Sequence, residues 1–156
     1  MIAVADDIPV SKNRFINPDG YTLTKVDDVR HCLILSKAIY EFTLDDYAPL
    51  TFELADGTLI QPNRHMERTD MGSIPMSLQV FFPKDRFLLS YILHDSGYKH
   101  NGLYVQAHGE DEFTFMEMTR AEVDHVLAMA IRAEGGNIFQ VSAIYSGVRI
   151  GGWGSW

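Results

Sequence analysis

The sequence has few cysteines and few basic residues, and both shortages limit what the protein can be. Cys32 is the single cysteine among 156 residues, so no internal disulfide can form and the fold depends on its hydrophobic core. Lys and Arg number 13 against 21 Asp and Glu, which gives a formal net charge of −8. Because phosphate binding needs clustered Lys and Arg, and the basic residues here are scattered, we expect no nucleic acid as a partner.

Long apolar runs are missing as well. No stretch approaches the roughly 18 apolar residues of a membrane-spanning helix. The N-terminal sequence MIAVADDIPV also lacks the basic residues with which a signal peptide begins. We therefore expect neither a transmembrane helix nor a signal peptide, and the lone thiol is consistent with a reducing compartment.

What the sequence does contain is the composition of one ordinary domain. Hydrophobic residues make up 46% of the chain and charged residues 22%, close to the average for globular proteins. A chain of 156 residues can bury one continuous core and is too short for two. We predict a single domain over residues 1–156, divided into an N-terminal arm (1–20), a β meander (21–68) and a helical part (69–156).

Residues 21–68 alternate short β-rich stretches with turn signals. The stretches read YTLTKV, HCLIL, AIYEFTL, LTFEL and TLIQ. Pairs of turn-forming residues separate several of them, namely Asp27-Asp28, Asp45-Asp46 and Asp56-Gly57. Short strands joined by such turns predict an antiparallel meander.

The apolar residues after Pro83 follow helical spacing. This pattern predicts a helix over residues 84–98, followed over 100–118 by an irregular loop or a short hairpin around Phe113 and Phe115. Capping residues and a glycine stop then predict two further helices. Their signals are, in chain order, Thr119 with Glu122, Gly135-Gly136, and Asn137 with Gln140. An antiparallel meander followed by about three packed helices is an α+β fold.

Two polar residues inside the first predicted helix, His94 and Asp95, are the most informative pair in the chain. A polar side chain in an apolar helical run needs a partner or a function. Adjacent helix positions point about 100° apart, so these two side chains can border one site and face different partners. Tyr98 lies one turn after His94 and can hydrogen-bond to a carboxylate on either helix.

Two further acidic residues can complete such a site. Residues 68–75 (RTDMGSIP) have the composition of a tight loop in which Gly72 permits an unusual backbone conformation. This loop can present the Asp70 carboxylate together with backbone carbonyls, and oxygen ligands suit a hard cation such as calcium. Asp124 lies beside the apolar face of the second predicted helix, where it can orient an imidazole.

Four motifs, TDMGSIP, ILHDSGY, RAEVDHVLAMAI and AIYSGVRIGGW, follow one another between residues 62 and 153. This ordered set resembles a family of small phage and prophage proteins of unassigned function. The resemblance implies a viral or prophage origin and synthesis in the host cytoplasm, with incorporation into the virion as an open alternative. It implies no particular activity.

A second resemblance covers residues 69–131. The segment HDSGYKH is similar to the HD-x-G-Y segment of bacterial phospholipases A2, and TDMGSIP resembles the calcium loop that precedes it there. It implies that His94 activates a water and that Asp124 orients the imidazole. It also implies a calcium site of Asp95 and the carbonyl of Gly72, with Asp70 as a further candidate ligand. Those enzymes usually pin their helices with disulfides and lack a meander, and this chain departs from them in both respects.

The residues and the two resemblances leave three hypotheses open. The leading one is a phage-encoded, calcium-dependent hydrolase of an ester such as a phospholipid, with His94, Asp124 and Tyr98 as catalytic residues. The alternative is a non-enzymatic virion component, a tail, neck or other assembly protein that binds other virion proteins and keeps the His/Asp centre as a structural network. The third is a metal-dependent hydrolase of cell-wall or nucleotide substrates, since His65, His94-Asp95 and Asp124 follow the order H, HD, D of metal phosphohydrolases.

Overall fold

A computed structural model describes residues 12–32, 35–69 and 84–151 of the chain. Eight strands lie within these ranges: β1 (Arg14–Ile16), β2 (Tyr21–Cys32), β3 (Leu35–Leu44), β4 (Thr51–Glu53), β5 (Leu59–Gln61), β6 (His65–Thr69), β7 (Gly102–Gln106) and β8 (Thr114–Glu117). The same ranges contain three α-helices: α1 (Leu88–His100), α2 (Arg120–Ala133) and α3 (Ile138–Gly151). A short 3-10 helix over Lys84–Phe87 leads into α1.

The strands form two antiparallel sheets. One has five strands in the order β1-β4-β5-β7-β8, and the other has three in the order β2-β3-β6. The predicted α+β fold, an N-terminal antiparallel β region followed by three helices, is confirmed. The segment after α1 forms the hairpin β7–β8, in which Tyr104 pairs with Phe115, and it joins the five-stranded sheet. Of the two alternatives predicted for residues 100–118, the hairpin is therefore the one observed.

The predicted turn at Asp27-Asp28 is wrong, because both residues lie inside the long strand β2. The pairing of β2 with β3 shifts register between Lys25 and Asp27, so the chain bulges there and continues as a strand. Asp28 pairs with Lys25, and Asp27 pairs with Arg68 from β6. Charged pairs at the bulge thus take the place of the predicted turn.

The other two predicted turns are confirmed, and residues 14–16 of the predicted N-terminal arm form a strand. Asp45 accepts the backbone N–H of Tyr47, and Gly57 adopts a φ of 86°, a conformation that favours glycine. Within the predicted arm, residues 14–16 form β1, and Phe15 packs its ring 4.9 Å from that of Phe52 on β4. The packing of the partly buried Phe15 on the buried Phe52 anchors this strand on the sheet.

Helices α2 and α3 begin where the sequence places their caps. Thr119 and Glu122 form a reciprocal capping box at the start of α2. Asn137 and Gln140 cap α3 in the same way. None of the helices in the described part of the chain is long and apolar enough to span a membrane.

Helix α1 lies at the centre of the core. Three successive residues, Tyr91, Ile92 and Leu93, belong to three different apolar clusters. Tyr91 packs among the three helices, Leu93 faces the five-stranded sheet, and Ile92 packs with residues of the three-stranded sheet. Because neighbours surround α1 in this way, residues 90–98 are all buried, including the polar ones. This central position is what buries His94 and Asp95.

Candidate active site

Asp124 is the centre of a polar cluster that joins all three helices. Its carboxylate is fully buried. Oδ1 accepts hydrogen bonds from two α1 residues, His94 Nε2 at 2.9 Å and the Tyr98 hydroxyl at 2.6 Å. Oδ2 accepts a hydrogen bond from Arg149 Nη1 on α3 at 3.1 Å. The structure therefore brings together the three residues that the sequence proposes as catalytic.

The spacing of His94 and Tyr98 along α1, together with one glycine, allows Asp124 to come within hydrogen-bonding distance of both. His94 and Tyr98 are one helical turn apart, and their rings pack at a tilt of 40° with centroids 4.1 Å apart on the face toward α2. Gly97 lies on the face of α1 that packs against α2, where a Cβ atom would come within 2.6 Å of Val123 Cγ1. The missing side chain at Gly97 therefore lets the two helices pack closely enough for Asp124 to reach α1.

The hydrogen bonds assign a protonation state to the pair. Burial raises the pKa of Asp124, but hydrogen bonds from His94, Tyr98 and Arg149 outweigh it and hold the pKa below its ordinary value of 3.8. The ionised carboxylate can only accept, so Nε2 of His94 carries the proton that it donates. In the neutral imidazole Nδ1 keeps its lone pair, and no hydrogen bond joins Nδ1 to another described residue. His94 is 7% exposed.

Tyr98 is fixed as a hydrogen-bond donor. Burial, together with the hydrogen bond to Asp124, raises the pKa of its phenol to about 12, although a hydrogen bond from Arg120 acts in the opposite direction. The hydroxyl therefore stays protonated at neutral pH. Its role in the cluster is to hold the carboxylate, and it leaves His94 as the group able to accept a proton.

Two arginines that the sequence analysis missed complete the cluster. Arg149 binds Asp124 directly, while Arg120 Nε lies 3.9 Å from the same oxygen and donates to the Tyr98 hydroxyl at 3.1 Å. Arg120 Nη2 also donates to the backbone carbonyls of Val148 and Arg149 at the end of α3. Arg120 precedes Asp124 by one helical turn, a spacing visible in the sequence, whereas nothing local predicts Arg149.

Asp95 faces a different part of the molecule. It is nearly buried, and its Oδ2 accepts a hydrogen bond from the Thr69 hydroxyl at the end of β6. Lys99, one turn later, donates to the backbone carbonyls of Glu67 and Arg68 at 3.0 and 3.2 Å. These contacts fix the end of β6 on α1.

The proposed calcium ligands are only partly within the described residues. Asp95 is described, whereas Asp70 and Gly72 lie outside the described ranges. Within residues 12–32, 35–69 and 84–151, no group of three or more His, Cys, Asp and Glu side chains is arranged to hold a metal ion. His65 bonds Thr43 and pairs with Glu41 in the three-stranded sheet, apart from His94. The order H, HD, D therefore does not correspond to a metal cluster in the described part of the chain.

Comparison with known proteins adds no relative. No family model, no curated protein and no solved structure matches this chain. What can be said of function comes from the geometry of the cluster around Asp124.

The lowered pKa of Asp124 predicts how stability depends on acid. Folding favours the ionised form of Asp124. The carboxylate therefore stabilises the folded protein above its unfolded pKa near 3.8, and this stabilisation is lost as the pH falls through the lower pKa of the folded state. We expect the difference in melting temperature between wild type and Asp124→Asn to shrink as the pH falls below about 4. Thermal unfolding from about pH 6 to about pH 2.5 measures this difference. A difference in melting temperature that stays constant over this pH range would contradict the lowered pKa of Asp124.

Proposed function

We propose that the protein is a phage-encoded, calcium-dependent hydrolase that cleaves an ester, with a phospholipid as the candidate substrate. The observation that supports this proposal is the hydrogen bond from His94 Nε2 to the ionised, fully buried Asp124. This bond orients the imidazole and directs its basic nitrogen, Nδ1, away from the carboxylate. An imidazole held in this way is a suitable general base for activating water.

In the proposed reaction, His94 Nδ1 takes a proton from a water as the water oxygen attacks the ester carbonyl. The imidazolium that forms is stabilised by Asp124, and it returns the proton to the leaving alkoxide as the carbon–oxygen bond breaks. Tyr98 and Arg149 keep the carboxylate in place through these steps. A positioned base of this kind contributes roughly 10²- to 10⁴-fold to the rate.

Asp95 is the described residue that would hold calcium, together with Asp70 and the carbonyl of Gly72. Its carboxylate is suited to that ion, and its partner Thr69 directly precedes the loop sequence that carries the other two residues. An ion held by these residues would polarise the ester carbonyl and would stabilise the negative charge that develops on its oxygen.

A calcium titration tests the metal-dependent part of the proposal. We expect chelator-treated wild type to bind calcium saturably in calorimetry at near-neutral pH, and Asp95→Asn to lose this binding, because an amide cannot supply the ionic ligand. Asp111→Asn, in the exposed segment between β7 and β8, is the matched control and should bind like wild type. Absence of binding by wild type would exclude the calcium mechanism, and binding retained by Asp95→Asn would exclude Asp95 as a ligand.

One observation also supports the non-enzymatic alternative, a virion component. Asp124 accepts hydrogen bonds from both α1 and α3, and such a buried network is also a means of fixing three helices in one arrangement. A virion component of this kind would act through its surfaces and turn over no ester. The two proposals therefore differ in what a change at His94 does to activity and to stability.

A further inference from the structure

The N-terminus of α1 is capped by a residue far away in sequence. Phe87 occupies the N-cap position and provides no side-chain cap, and the first turn of α1 contains no acidic residue. Instead the carboxylate of Glu134, at the C-terminal end of α2, accepts the backbone N–H of Ser90 at 2.9 Å and of Leu89 at 3.4 Å. It also accepts the Ser90 hydroxyl at 2.5 Å. Glu134 thus does for α1 what a local cap does for most helices.

The surroundings of Glu134 make this an unusual way to cap a helix. Burial raises the pKa of Glu134, and the hydrogen bonds from Ser90 and Leu89 only partly offset that effect. Burial is the main cause of the raised pKa of the Tyr91 and Tyr21 phenols, and the nearby charge of Glu134 adds to the shift in both. Glu134 forms no ion pair within the described residues. The α1 amides and dipole are its main compensation.

A distant cap does something that a local one does not. A serine or aspartate at position 87 would stabilise α1 alone, whereas Glu134 also fixes α1 against α2. The two helices run antiparallel: Glu134 holds the start of α1, and Asp124, ten residues earlier on α2, holds His94 further along it. Ser90 and Tyr98, which the two carboxylates bind, are eight helical residues or about 12 Å apart, so α1 is held at separate points along its length.

We infer that Glu134 is a positioning residue that sets where α1 lies along α2, and thereby aligns His94 with Asp124. The inference rests on the proposed function in that it makes this alignment a requirement of catalysis. A general base must hold its geometry closely, since a displacement of about 1 Å can cost roughly 10²-fold in rate. The Glu134 cap and the Asp124 hydrogen bonds together prevent α1 from sliding.

The exchange rate of the His94 Nε2 proton with solvent, measured by NMR, tests this role without any substrate. We expect Glu134→Ala to accelerate this exchange about tenfold, because the loss of one helix cap shifts a local opening equilibrium by about that factor. Glu134→Gln keeps one acceptor oxygen and should give a smaller increase. Gln140→Ala removes one of the two hydrogen bonds that cap α3, the bond from the Asn137 N–H, and is the control, which should leave the exchange of this proton unchanged.

Each outcome of this experiment bears on the inference. Equal exchange rates in Glu134→Ala and Gln140→Ala would overturn the positioning role. Should Glu134→Ala fail to fold, Ser90→Ala is the second variant, because it removes one hydrogen-bond donor to Glu134. Ser90→Ala should also accelerate the exchange of the His94 proton, and an unchanged rate in this variant would overturn the positioning role. In an ester hydrolysis assay, Glu134→Ala should lower kcat with KM little changed. Wild type that hydrolyses no ester would contradict the proposed function, while the exchange comparison still decides the positioning role.

Discussion

Replacing Asp124 by alanine is expected to destabilise the folded protein by about 3–5 kcal/mol, the cost typical of removing one partner from a buried ion pair. The change leaves His94, Tyr98 and Arg149 without the acceptor that they share. It also removes the hydrogen bonds through which Asp124 links α2 to α1 and to α3. Urea unfolding followed by circular dichroism measures the loss of unfolding free energy.

Two controls separate this cost from a general effect of losing an aspartate. Asp46→Ala removes an exposed pair with Arg64 and should cost at most about 1 kcal/mol. The double variant Asp124→Ala, Arg149→Met also removes the guanidinium that the first change leaves unpaired. We therefore expect its loss of unfolding free energy to be smaller than the sum of the losses in the two single variants. A loss below about 1 kcal/mol for Asp124→Ala would contradict the central role of this carboxylate.

The parts of the fold that the sequence predicts are those determined by near neighbours. Both helix caps use residues three apart, Thr119 with Glu122 and Asn137 with Gln140, so the signal and the contact lie in the same turn. The turn predicted at Asp27-Asp28 fails for the opposite reason. Asp27 pairs with Arg68, 41 residues away, and the sequence around the aspartates carries no sign of that partner.

The same division applies to the candidate site. His94 and Tyr98 share a helix face through a spacing of four residues, which the sequence shows. Their common partner Asp124 is 30 residues from His94, and only its place on a helix and a family resemblance point to it in the sequence. Arg149 and Glu134 were missed, because each acts across helices and neither carries a local signature. Long-range polar contacts of this kind depend on how the helices pack.

The central position of α1 connects fold and site in physical terms. A helix surrounded by three apolar clusters has no solvent-facing side on which His94 and Asp95 could be placed without cost. Each therefore needs a partner, and the two partners lie in different elements: Asp124 on α2 and Thr69 on β6. The pair thereby ties α1 to a helix on one side and to a strand on the other.

Changing His94 to glutamine is expected to lower ester hydrolysis by roughly 10²- to 10⁴-fold, because the amide can still donate a hydrogen bond toward Asp124 but cannot take a proton from water. The stability of this variant should fall by no more than about 1–3 kcal/mol. Tyr98→Phe is the comparison: it keeps the base and removes one hydrogen bond to Asp124. Initial rates with and without calcium, together with urea unfolding of each variant, give both quantities.

The two measurements on His94→Gln discriminate between the enzyme and the virion component. A hydrolase loses most of its activity at His94 while remaining folded, since Asp124, Tyr98 and Arg149 still hold the helices. A structural network shows the reverse, with no ester turned over by wild type and a loss of stability as the only effect. If Tyr98→Phe lowered the rate as much as His94→Gln, the base would have been assigned to the wrong residue. The combination of retained fold and lost rate is what a catalytic His94 requires, and neither measurement alone establishes it.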